Sequence, residues 1–175
     1  MKSKIICLVG PSGSGKTYMA THLEEEYGIP QIQSRTTRPR RTPDETGHTF
    51  VTDEEFDTYE DSHMIAFTTF GGSRYCCLHK DVNAPTISYV IDEAGLKYLR
   101  ENFSNIYSIF AVRLFMPEEK RKLLVGEERI MRDEGKFLMG IDDFDYFICT
   151  EDFSENERKI CKMLIRCYQH FDTNP

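Results

Sequence analysis

The 175-residue chain reads as an α/β protein: a parallel sheet covered by helices on both faces, carrying one inserted lobe and one helical flap. Three observations predict this. A glycine-rich run, Gly10-Pro11-Ser12-Gly13-Ser14-Gly15-Lys16-Thr17, joins an apolar stretch to an amphipathic one, as a strand-loop-helix unit does. Further apolar β-like runs then alternate with helical periodicity, the pattern of parallel strands joined by crossover helices. Two stretches break that alternation, 33–83 and 118–137, which leaves 1–32, 84–117 and 138–175 for the core of a single domain.

The first strand, Ile5-Ile6-Cys7-Leu8-Val9, is apolar throughout, as a strand covered on both faces must be. After the glycine loop, Met19, Leu23 and Tyr27 recur every fourth residue in a helix over Tyr18 to Tyr27, which Gly28 and Pro30 stop. The lobe offers a basic loop, a short helix near Asp53 to Asp61, and strand-like pieces at Met64 to Phe70 and Tyr75 to Leu78. Runs at Thr86 to Ile91, Tyr107 to Phe115 and Phe144 to Cys149 have β character. Each is followed by a helical stretch, at Glu93 to Phe103, Pro117 to Val125 and Phe153 to Phe171. In the last of these Ile160, Leu164, Cys167, Tyr168 and Phe171 share an apolar face. The polar stretch 118–137 is expected to be a movable flap hinged at Gly126 and Gly135.

Composition narrows the function. The net charge of −7 disfavours adhesion to nucleic acid or an anionic membrane, whose phosphates would be repelled over most of the surface. Any basic site must be local. The six cysteines form no C-x-x-C pair, so reduced thiols in a cytoplasmic protein are expected, with Cys76-Cys77 as plain strand residues. No signal peptide fits the start of the chain, and no apolar run reaches membrane-spanning length. The expected state is a monomer or homodimer.

Gly10 to Thr17 fit G-x-x-x-x-G-K-S/T, the P-loop pattern. Glycines let successive N–H groups turn inward around an anion, and the next helix adds the positive end of its dipole. Lys16 would reach the β and γ phosphates of a nucleoside triphosphate, and Thr17 would offer its hydroxyl to Mg²⁺. ATPase, GTPase and kinase all remain open on this motif alone. Four arginines within seven residues, in Ser34-Arg35-Thr36-Thr37-Arg38-Pro39-Arg40-Arg41, point to a phosphorylated acceptor facing that site, since guanidinium forks pair with phosphate oxygens.

The P-loop, the S-x-T-T-R-x-x-R segment, and Gly47-His48-Thr49-Phe50-Val51 followed by Glu54-Glu55-Phe56 together resemble the guanylate kinases. The resemblance runs nearly end to end, with Asp92 closing the Val90-Ile91 strand and arginines in Glu128-Arg129-Ile130-Met131-Arg132. It implies a P-loop kinase core, an acceptor-binding lobe at 33–83 and a lid at 118–137. It implies that Ser34 touches the acceptor base and that Arg38, Arg41 and the Tyr75 hydroxyl hold the acceptor phosphate. Asp92 would sit near the acceptor nucleoside or, through water, the metal. Arg132, with Arg129 or Arg121, would swing in from the lid, and Thr150 and Asp152 would line the adenine pocket.

Three positions depart from the family pattern. His48 stands where a tyrosine would contact the phosphate, and Cys77 where a serine would meet the base. Ala66 stands where a glutamate would accept from guanine, and neither Asp nor Glu occurs between His63 and Lys80. An unpaired buried donor forfeits about 1 to 3 kcal/mol, so guanine selection should be weakened. The implied activity is ATP- and Mg²⁺-dependent phosphoryl transfer to a nucleoside monophosphate, GMP or dGMP first. Alternatives are a related kinase with a modified or deoxy nucleotide or ribose 1,5-bisphosphate as acceptor, and a non-catalytic guanylate-kinase-like binding module.

Overall fold

The computed structural model describes residues 2–151 and 153–171, without the side chains of 153–157, 170 and 171. Four strands form a parallel sheet: β1 (Lys4–Val9), β6 (Thr86–Val90), β7 (Ser108–Phe115) and β8 (Tyr146–Cys149), in the order β6-β1-β7-β8. Strand β1 lies second, between β6 and β7, and its side chains alternate between two apolar layers. Ile6 and Leu8 pack with Met19, Ala20 and Leu23 of α1 (Lys16–Tyr27) and with Cys161, Leu164 and Tyr168 of α6 (Phe153–Phe171). Ile5, Cys7 and Val9 face the other way, toward Leu96 and Leu99 of α3 (Glu93–Phe103). The sheet is thus covered on both faces, as expected, and the observed bounds agree with the sequence reading to within two residues at most ends.

Helix α1 begins where the glycine loop ends. Gly15 is left-handed, with φ 83°, and at the far end Gly28, φ 65°, turns its N–H back to the Glu24 carbonyl. This is the glycine-closed helix end that a side chain with a β carbon resists.

Residues 34–78 build a second sheet of four strands, ordered β3-β2-β5-β4: β2 (Ser34–Thr36), β3 (His48–Phe50), β4 (Met64–Phe70) and β5 (Ser73–Leu78). The basic loop is therefore not merely a loop. It springs from β2 and returns through β3, which pairs parallel to β2, so Ser34 lies beside His48. A short helix, α2 (Asp53–Phe56), is capped by Thr52, whose hydroxyl accepts from the Glu55 amide. The β4–β5 hairpin carries a bulge between Met64 and Ala66, which allows the consecutive Ile65 and Ala66 both to be buried. Helices α4 (Glu118–Val125) and α5 (Glu127–Asp133) follow β7 and meet at Gly126, φ 77°. Among the described residues no helix is long and apolar enough to cross a membrane.

Candidate active site

The glycine loop is laid tightly against the end of β7. A β carbon at Gly10 would stand 2.5 Å from the Leu114 carbonyl oxygen and 2.6 Å from Ser14 Oγ, so only glycine fits. Gly13 and Gly15 both have positive φ, 79° and 83°, and between them the Ser14 amide donates to the Pro11 carbonyl at 3.2 Å, which closes the loop into a tight turn. Thr150, buried at the end of β8, donates its hydroxyl to the carbonyls of Ser14 and Phe115, each 3.0 Å away. It fastens the loop from below and is not among the residues that line the cavity. Asp152, its expected companion in an adenine pocket, lies outside the described residues.

Above the loop opens a cavity of about 430 Å³. It is lined by Gly10, Ser12, Gly13, Gly15, Lys16 and Thr17 of the glycine loop and the start of α1, by Ser34, Arg41, His48, Tyr75 and Asp92, and by Arg129 and Arg132 of α5. Helix α1 places Thr17 in its first turn with its side chain exposed to this space. Lys16 donates to the Gly10 and Pro11 carbonyls at 2.6 and 2.9 Å. Burial lowers its ammonium pKa to about 7; nearby Asp133 opposes that shift, while Arg129, Arg113 and Arg121 add to it.

Arg38 is folded onto Glu45, which accepts from its two terminal nitrogens at 2.7 and 3.2 Å. The same carboxylate accepts from the Arg41 amide at 2.6 Å. With Arg38 as its main partner, Glu45 is held at a pKa of about 2. Arg41 and Arg129 are each driven down from the ordinary guanidinium value by burial and then by neighbouring arginines, a sign that Arg38, Arg41, Arg129 and Arg132 converge. The Nε atoms of Arg38 and Arg129 are buried without a partner. His48 receives or gives a hydrogen bond at Ser34 Oγ, 2.9 Å, and burial, then Arg38, lowers its pKa to about 4. It is neutral where tyrosine would have been. The other two arginines of the loop are absorbed structurally: Arg35 pairs with Asp81, and Arg40 lies over the Phe50 ring at 4.2 Å.

The base end differs from the family-based expectation. Cys77 is fully buried, its thiol directed at the Leu78 carbonyl, and Ala66, its cross-strand neighbour, is buried in the same core layer. Neither lines the cavity. Pro11 and Ser14 likewise support the loop from behind, and Arg121 is buried with its guanidinium on the Met116 and Ser12 carbonyls. In their place the cavity presents Thr68, whose hydroxyl donates to Asp92 Oδ2 at 2.9 Å, while Asp92 Oδ1 caps α3 at the Gly95 amide, 2.8 Å. Thr68, Glu45, Asp133 and Glu93 were missed in the sequence. Glu93 pairs with Arg113 at 2.5 Å and accepts from the Leu138 and Met139 amides, pinning the chain where it leaves α5. Only Glu45 had a legible signal, as an acid four residues after Arg41 in a basic loop.

Comparison of the sequence with protein-family models and with curated proteins gives no match. Comparison of the structure does: the guanylate kinase from Anaplasma phagocytophilum superposes with a TM-score of 0.68 at 21% identity, over 94% of this chain and 86% of that one. The fold is that of a guanylate kinase. The likeness spans the parallel sheet and the second sheet together, since so little of the chain falls outside it. At this identity it speaks for the fold, and the chemistry has to be argued from the cavity.

Proposed function

We propose that this protein is a nucleoside monophosphate kinase that moves the γ-phosphoryl group of ATP to a bound monophosphate, with GMP or dGMP the leading acceptor. The observation that carries the reading is that two groups suited to anions line one cavity: the P-loop with Lys16, and the cluster of Arg41, Tyr75, His48, Arg129 and Arg132. In-line transfer needs little covalent help from a protein. It needs two phosphates aligned and the migrating charge neutralised. Lys16 and the loop amides would hold the ATP phosphates, Arg38 and Arg41 the acceptor phosphate, and Arg129 and Arg132 the group in flight.

Mg²⁺ fits this donor set. Thr17 is exposed and lines the cavity beside Lys16, and a magnesium ion held by one protein oxygen, phosphate oxygens and waters is ordinary for such sites. Bound there with ATP, it would neutralise phosphate charge; Asp92 is placed to orient its waters or the acceptor. The substrates are soluble nucleotides, and a cytoplasmic protein without nucleic-acid or membrane partners accords with the acidic surface.

One observation favours a second reading. Ala66 and Cys77 are sealed in the core and offer nothing to the cavity, and Asp92, which does line it, is already bonded by Thr68 and the Gly95 amide; this suits another acceptor, a modified or deoxy nucleotide or ribose 1,5-bisphosphate. A coupled ADP-release assay with ATP and Mg²⁺ against each monophosphate and ribose 1,5-bisphosphate decides. Fastest turnover with GMP or dGMP supports the first reading, and preference for another acceptor the second. No acceptor-dependent turnover refutes both and leaves a binding module.

A further inference from the structure

Every polar group of Ser12, the residue at the crown of the P-loop, is engaged by the α4–α5 segment. Its amide donates to Asp133 Oδ2 at 2.5 Å, its hydroxyl accepts from Arg132 Nη2 at 2.8 Å, and its carbonyl accepts from Arg121 Nη1 at 3.3 Å. Asp133 is 5% exposed, and a carboxylate so buried must be paired. Its partners are this amide and the neighbouring Arg132, at 3.2 Å. Lys16 meanwhile is turned onto the loop's own carbonyls.

We propose that Asp133 is an internal anion that takes a phosphate seat of the P-loop in the nucleotide-free protein, so that ATP enters only by expelling it. The inference rests on the reading of the loop as a nucleotide site. An inward amide of such a loop is an anion donor by construction, and a carboxylate offers it the same charged oxygen that a phosphate would. The two cannot share the seat, because the carboxylate and the polyphosphate are both negative and the cavity around them is partly shut off from water. Asp133 closes α5, whose two ends adjoin Gly126 and Gly135, with φ 77° and 69°, positions where the backbone has freedom to turn. Arg132 leaves the Ser12 hydroxyl when Asp133 leaves the amide, since they are adjacent in one helical turn. Expulsion therefore frees a guanidinium for the phosphates in the same movement, and an empty site stays shut.

The competition lowers nucleotide affinity by whatever the seated carboxylate contributes to the empty protein. Asp133→Asn keeps the shape and removes the charge; Asp133→Ala removes both. The probes are ADP and inorganic pyrophosphate, titrated calorimetrically into the full chain, with thermal melting to confirm folding. Both variants should bind both probes about tenfold more tightly than the parent, the size of one charge-assisted hydrogen bond lost from the empty state. Their melting temperatures without ligand should fall and their gain on adding ADP should rise. If either variant folds and binds the probes no more tightly than a parent that does bind them, the plug is refuted and the P-loop reading survives. If the parent and both variants bind neither probe, the nucleotide reading falls, and the plug with it.

Discussion

Glu45 is the carboxylate on which the arginine loop closes, so Glu45→Gln should open that loop in a way that pH reveals. Its oxygens take two nitrogens of Arg38 and the Arg41 amide, and these bonds lower its pKa from 4.5 to about 2. At ~1.4 kcal/mol per pH unit, a fall of roughly 2.5 corresponds to a ceiling of about 3 kcal/mol of folding free energy. The unfolded carboxyl binds its proton near 4.5 and the folded one only near 2. The gain is therefore complete above pH 4.5 and is lost as the pH falls from there through 2. Gln retains one acceptor oxygen but no charge, so about 1 to 2 kcal/mol of the ceiling should vanish at neutral pH. Urea unfolding of parent and variant at pH 7, 5, 4 and 3 measures it. The gap should be constant at pH 7 and 5 and shrink steadily below. A gap of equal size at pH 7 and 3 would refute the assignment of Glu45 as the charged keystone, and so would no gap at all.

Two other consequences are as direct. Burial holds Lys16 at a pKa of about 7, and polyphosphate would restore its charge, so ADP binding at pH 8 should take up close to one proton. Calorimetry in two buffers of different ionisation heat reads that number, and proton release instead of uptake would contradict it. Gly10→Ala drives a β carbon against the Leu114 carbonyl and Ser14 Oγ, which should cost about 1 to 3 kcal/mol and displace the loop. A lower melting temperature and loss of ADP binding are expected, and an unchanged ADP affinity would show that the loop tolerates the shift.

The sheet and its helices were legible because their signals are local. The continuous apolar run of β1, the fourfold spacing of α1 and the one-faced pattern of α6 each state their own element. The second sheet was half legible for the opposite reason. Strands β2 and β3 are three residues each, too short for alternation to show, and they exist because they pair across an arginine loop whose closure depends on Glu45. The P-loop could be read residue by residue because its chemistry is written in one unbroken string. Asp133 could not be, since its contact with Ser12 spans 121 residues of sequence and nothing near it announces a loop amide as its partner. The sequence marks Ala66 as a missing acceptor but cannot show that this position is buried in the core beside a bulge.

On the proposed reading, that bulge bears on how the acceptor is chosen. A carboxylate at position 66 would be buried beside Ile65 and Cys77 in an apolar core layer, where its desolvation would go uncompensated, so restoring guanine recognition there would require rebuilding the hairpin. The groups that can meet an acceptor at this end are Ser34, His48, Thr68 and Asp92. Asp92 already spends one oxygen on Gly95 and receives Thr68 on the other. Against this small and partly satisfied set stand the three guanidiniums that line the cavity, Arg41, Arg129 and Arg132, with Arg38 close behind on Glu45. On the proposed reading, binding energy is concentrated on the acceptor phosphate. Discrimination between bases then rests on one or two hydrogen bonds, each a factor of roughly ten to a hundred. The same acceptor series should accordingly show a preference of that order among purine monophosphates. A preference of many thousandfold would mean that Thr68 and Asp92 read the base far more strictly than their present hydrogen bonds suggest.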